Sequence, residues 1–218
     1  VVLADQDKVE MEDAINERIP DTKNTRVICR SGSPIDLTDL EIASPHTARS
    51  IIILSEGDDP DTHVIKSVLA ITNNPNRRAE PYHIVAEIHD RKNLEAARLV
   101  GGEEAHIVET GDVISRVIVQ TCRQSGLSVV YTELLDFGGD EIYFQEEPAL
   151  VGKTFAEALL GYEDSAVIGL QFLDGRTALG PPMDTRIAAG DKVIAISADD
   201  DTVRLSGLSD LGIDAQAI

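Results

Sequence analysis

Short apolar runs alternate with amphipathic stretches through the first two thirds of the chain. VVLA (1–4), RVIC (26–29), SIIILS (50–55), HIVAEI (83–88) and HIVE (106–109) read as strands. The unbroken isoleucine run suits a strand covered on both faces. Between these runs the apolar residues fall at helical spacing: Met11, Ala14, Ile15 and Ile19 behind the capping Asp7; Leu37, Leu40 and Ile42; and Val64, Ile65, Val68 and Leu69 behind Asp59-Pro60. Asp90 caps a further helix carrying Leu94, Ala97 and Val100, which Gly101-Gly102 ends; another runs from Asp112 to Ser125 and closes at Gly126. Strand and helix in strict alternation predict a parallel, doubly wound α/β sheet with helices on both faces.

The rhythm changes after residue 127. LSVVYTELLDF predicts one more helix or an extended crossover, and EIYFQ (141–145) is a strand with no following helix of the earlier kind. Then come a helix at 154–160, a strand at 166–172, a DGR turn at 174–176 and a strand at 191–197. This is a small α+β lobe of mostly antiparallel strands. The expected organisation is an N-terminal lobe over 1–138, a C-terminal lobe over 139–202 and a tail over 203–218.

The formal charge is −20. It argues against nucleic acid and anionic membrane surfaces as direct partners and makes cations the more natural ligands. No apolar run is long enough for a membrane span and no signal peptide is read. Two scattered cysteines, Cys29 and Cys122, form neither a disulfide framework nor a zinc motif, which fits a reducing cytosol. The chain opens directly in an apolar strand and reads as a piece of something longer.

In open parallel sheets ligands collect beyond the carboxyl ends of the strands. That rule selects Asp5, then Arg30 with Ser31 and Gly32, then Ser55 with Glu56, Glu87 and Glu109. Asp5 is placed as a ribose-binding acid after a second strand would be, so an adenine nucleotide or NAD is one candidate ligand. No G-x-G-x-x-G loop occurs in the chain. If VVLA is the second strand of the common order, the first, central strand is missing. The EGDDPD loop with Glu56, Asp58 and Asp59, and the neighbouring Glu87 and Asp90, could supply carboxylates for calcium, which takes six to eight oxygen ligands. Asp59 and Asp90 are equally well placed as helix caps that bind nothing. The five histidines show no metal-ligand spacing and no nucleophile motif is legible, so no reaction is expected. In DVISRVIVQTC the apolar residues Val113, Ile114, Val117, Ile118 and Val119 make a face broader than one sheet requires; it serves either a second subunit or the chain's own core.

Taken in order, VVLADQD, VICRSGSP, SIIILSE, HIVAEIHD, LVGG and GDVISRVIVQ resemble an RCK domain, the Rossmann-like regulator of potassium conductance. LVGKTF (150–155), PPMD (181–184) and GDKVI (190–194) look like its small C-terminal lobe. VICRSGSP, SPHTARSIIILSE, LVGG and the late DDDT are most similar to the CASTOR and POLLUX ion channels of plant nuclear envelopes and their bacterial relatives. The resemblance implies a non-enzymatic gating domain on the cytoplasmic face of a membrane, tethered to an upstream transmembrane pore domain and assembled with other copies of itself into a ring. It implies calcium as the gating ligand in some members and a nucleotide in others, as in subunits of potassium uptake transporters. Calcium-gated archaeal relatives carry E-x-E at the end of the strand matching HIVAEIHD; Glu87 matches the first acid, but His89 stands in place of the second. Within the same resemblance the PPMD segment reads as a turn, Gly190 as a tight turn and Asp191 as the start of the last strand.

Overall fold

The computed structural model describes residues 1–54, 57–136 and 138–207. The chain divides into two compact units, Val1–Ile118 and Val119–Ile218. Among the described residues no helix is long and apolar enough to cross a membrane.

In the first unit β1 (Val2–Ala4) is followed by α1 (Lys8–Arg18), β2 (Cys29–Ser31), α2 (Leu37–Ala43), β3 (Ile51–Ile53), α3 (Pro60–Thr72), β4 (Ile84–Ile88), α4 (Leu94–Gly101) and β5 (Ala105–Glu109), and α5 (Thr110–Arg123) runs from it into the second unit. The helix starts follow local chemistry. Asp7 accepts from the amides of Val9 and Glu10, and Asp36 from those of Thr38 and Asp39, satisfying donors that a helix leaves unpaired. Gly102, at φ +53°, ends α4 in a conformation that favours glycine.

All strand pairs of this unit are parallel, as the alternation predicts, but they form two sheets. β1 pairs with β2, and β3, β4 and β5 pair in that order. The sheet is therefore interrupted between β1 and β3, where the common doubly wound order places its central strand. The core lies on one face of the three-stranded sheet, where Ile84, Ala86 and Ile88 of β4 meet Val64, Val68 and Ala97 of α3 and α4. The expectation that SIIILS is covered on both faces is corrected. Ile53 is buried, but Ile52 and Leu54 are both 71% exposed, because only the face lined by the core is covered. The stripe expected on α1 is corrected likewise: Met11 is buried, whereas Ala14 and Ile19 are exposed.

The second unit contains α6 (Leu127–Leu135), β6 (Glu141–Gln145), α7 (Phe155–Leu159), β7 (Ala166–Gln171), β8 (Thr177–Leu179) and β9 (Lys192–Ser197). Its sheet is antiparallel with order β6-β9-β7-β8. Phe155, Leu170, Val193 and Ala195 fill its core. Thr154 and Glu157 cap α7 reciprocally. The PPMD segment runs back along the start of α7: the amides of Phe155 and Ala156 donate to the carbonyls of Thr185 and Met183 at 2.8 and 3.0 Å. Asp191 precedes β9 and is buried, its carboxylate accepting from the amides of Leu173 and Ala188 at 3.0 and 2.8 Å.

Candidate functional site

The sheet register sets Asp5 beside Gly32 at one strand end, and Glu87 and Asp90 stand at another. At the first, Ala4 pairs with Ser31, so Asp5 and Gly32 leave neighbouring strands side by side. The Gly32 amide donates to the Ala4 carbonyl at 3.0 Å, and the Ser33 amide to Asp39 at 2.8 Å. A Cβ on Gly32 would meet Leu3 and Asp39 at 3.1 Å, so packing alone accounts for the glycine. The Arg30 guanidinium turns back to the Cys29 carbonyl at 3.0 Å. Asp5 and Ser31 are both exposed.

The second strand end carries the acids. Glu87 pairs with His89 at 3.0 Å. Asp90 caps the turn Arg91–Asn93 through the Lys92 amide at 3.0 Å, and its carboxylate meets the Lys92 ammonium at 2.7 Å. Those two bonds to Lys92 hold the Asp90 carboxyl below the usual range. Lys92 is shifted up in turn, first by Asp90 and then by the charges of Asp61 and Asp59. The chain thus places one of its own cations among these acids. Asp58 and Asp59 are exposed, and Asp59, although at the N-terminal cap position of α3, makes no side-chain cap bond. Glu56 lies outside the described residues.

Asp61, in the first turn of α3, is the residue that sequence reasoning passed over. It is 3% exposed, yet its carboxylate accepts from the amides of His89 and Asp90 at 2.8 and 2.9 Å and from Asn93 Nδ2 at 2.8 Å. Burial pushes this carboxyl up, but the three donors outweigh it and the net shift is downward. Its partners lie about thirty residues away in sequence, at separations of 28, 29 and 32, so no local signal marks them.

Calcium requires several converging oxygens. Among the described residues no group of three or more His, Cys, Asp or Glu side chains is arranged to hold a metal ion. Asp61 is already engaged by nitrogen donors, and Asp90 by Lys92. This strand end therefore concentrates negative charge without a preformed cage.

A second exposed feature lies on α5. Ile114, Ile118 and Val119 are 58%, 57% and 57% exposed, and Val113 is also exposed. Of the two readings of this helix, burial in the chain's own core is corrected for these residues.

Residues 111–210 match the family described as Castor and Pollux, part of voltage-gated ion channel. Over 207 residues the chain is 36% identical to the probable ion channel CASTOR of Oryza sativa subsp. japonica, covering 93% of this chain and 23% of that protein. It is 36% identical over 206 residues to the probable ion channel POLLUX of Arabidopsis thaliana, covering 93% of this chain and 25% of the relative. The chain thus spans about a quarter of the length of these relatives. Among solved structures, the human SLO3 gating ring is similar in fold, with a TM-score of 0.67 at 17% identity over 93% of this chain and 40% of that one. By sequence this chain belongs with the CASTOR and POLLUX ion channels, as the counterpart of one segment of them.

Proposed function

We propose that this chain is a ligand-sensing gating domain of a cation channel, on the cytoplasmic face of the membrane, with the pore supplied by transmembrane segments upstream in the same polypeptide. It carries no reaction. Copies assemble into a ring, and ligand binding at the strand ends shifts the population of ring conformations by the difference in its affinity for them. The lobes are assigned to 1–138 and 139–202, with a tail over 203–218. The observation that carries the reading is the exposure of Val113, Ile114 and Ile118 on one side of α5, which offers an apolar surface to another copy of the chain. Sedimentation of the protein should show concentration-dependent association that Ile118→Glu abolishes. A monomer at all concentrations overturns the assembly.

Calcium is the ligand favoured here, on the charge of −20 and the acids Asp58, Asp59, Glu87 and Asp90, with Glu56 beside them in sequence. Calorimetry should detect calcium binding that Glu87→Gln weakens, and absence of heat removes calcium from the proposal. The exposure of Asp5 beside Ser31 and Gly32 favours a second reading, a nucleotide-binding regulatory subunit of a potassium uptake transporter. That reading expects NAD or an adenine nucleotide to raise the melting temperature, and Asp5→Ala to cancel the rise.

A further inference from the structure

The loop after β4 is folded around a carboxylate that it does not itself contain. Three nitrogen donors of this loop converge on Asp61: two successive backbone amides, those of His89 and Asp90, and the side-chain amide of Asn93. Asp61 is the last residue of the EGDDPD segment and lies in the first turn of α3, which is itself fixed in the core by Val64 and Val68. The loop itself carries His89 and Asp90, and Glu87 stands in β4 just before it; their side chains point to other partners. One buried carboxylate therefore ties the first turn of α3 to the loop after β4.

We propose that Asp61 is the positioning residue of this strand end, setting the loop that carries Asp90 and follows Glu87 of β4, and mechanically linking it to α3. The inference rests on the reading of the strand ends as the ligand site. The physical case is that a buried carboxylate with three donors is satisfied only in one loop conformation. Oδ1 accepts from His89, while Oδ2 accepts from both Asp90 and Asn93. No uncharged isostere reproduces this pattern. An asparagine offers one acceptor oxygen and turns an NH2 group toward donors, so donor faces donor and the loop is released while the helix stays packed. A ligand that draws Glu87 or Asp90 toward itself pulls on the same loop, and through Asp61 on α3.

The test uses two readouts on Asp61→Asn. Hydrogen exchange reads the tie directly, and amides over 88–93 should exchange at least about tenfold faster than in the parent while residues 84–87 of β4 and the core of α3 stay protected. Calcium calorimetry reads the positioning, and the Kd should rise about tenfold, the size typical of losing a group that orients a metal ligand. Unchanged exchange over 88–93 overturns the tie. Faster exchange with an unaltered calcium Kd overturns the positioning role and leaves Asp61 merely structural. If the parent protein binds no calcium, the ligand reading fails by itself and exchange alone still decides the tie. If Asp61→Asn does not fold, Asn93→Ala removes one of the three donors and should raise exchange over 88–93 several-fold; no rise there overturns the proposal equally.

Discussion

The Arg77 guanidinium meets the Glu104 carboxylate at 2.7 Å, and the other oxygen of the same carboxylate accepts from the Tyr82 amide at 3.0 Å. Arg77 also lies over the Tyr82 ring, 5.3 Å from its centroid, and donates to the Thr72 carbonyl at 2.6 Å. One ion pair thus fastens the end of α3 and the entry to β4 to the turn before β5. Burial pushes the Glu104 carboxyl up, but the Arg77 hydrogen bond, the Tyr82 amide and the charges of Arg77 and Arg78 outweigh it, and the net shift is down. A depressed carboxyl contributes stability above its unfolded value and loses it as pH falls through the folded one. Glu104→Gln should therefore destabilise the protein by about 1–3 kcal/mol at pH 7 and by much less at pH 3, in urea titrations at both pH values.

Tyr162 supplies the opposite sign. It is buried beside the core of the second unit, and burial, with the charge of Glu147, pushes its phenol up to about 12. A raised folded value keeps its stabilisation at neutral pH and loses it as pH rises from the ordinary value near 10 toward 12. Thermal melts of the parent protein should fall steeply over that interval, and Tyr162→Phe should flatten the fall.

Gly169 sits at the irregularity in the β7 register, between its pairings with Leu179 and Ile194. A Cβ there would lie 2.3 Å from the Ala178 carbonyl oxygen and 3.1 Å from Leu179 Cα. Both are backbone atoms of β8 and neither can swing away. Gly169→Ala should cost about 1–3 kcal/mol, as overpacking does, and expose β8 first in hydrogen exchange.

The two thiols differ in access. Cys29 is completely buried in β2, whereas Cys122 is exposed near the end of α5. An aromatic disulfide reagent should modify one thiol at once in the native protein and the second only on unfolding. If copies associate through α5, modification of Cys122 should slow as protein concentration rises.

The strands, the helices and their parallel order were legible because each rests on residues within a few positions of one another. Asp7 and its amides lie two and three residues apart, and Val64 and Val68 lie one helical turn apart. Beginnings and ends were less legible: the strand read at 26–29 is Cys29–Ser31, since pairing with β1 and not apolarity fixes its limits. The strand β8 went unseen because three residues after a DGR turn show no period, and it exists only by pairing with β7. Of the candidate site, the strand-end placement of Asp5, Gly32, Glu87 and Asp90 was legible from the fold rule alone. Their hydrogen-bond partners were not.

The sequence by itself determined which segments become strands and helices, and that the chain is strongly acidic. These depend on periodicity, caps and charge, which are properties of neighbours along the chain. Only the tertiary structure decided that the isoleucine strand buries one face, that the sheet parts between β1 and β3, that Lys92 stands among the acids, and that Asp61 gathers the loop after β4. Each of these is set by groups brought together from distant positions, where burial makes one hydrogen-bonding arrangement far better than its alternatives.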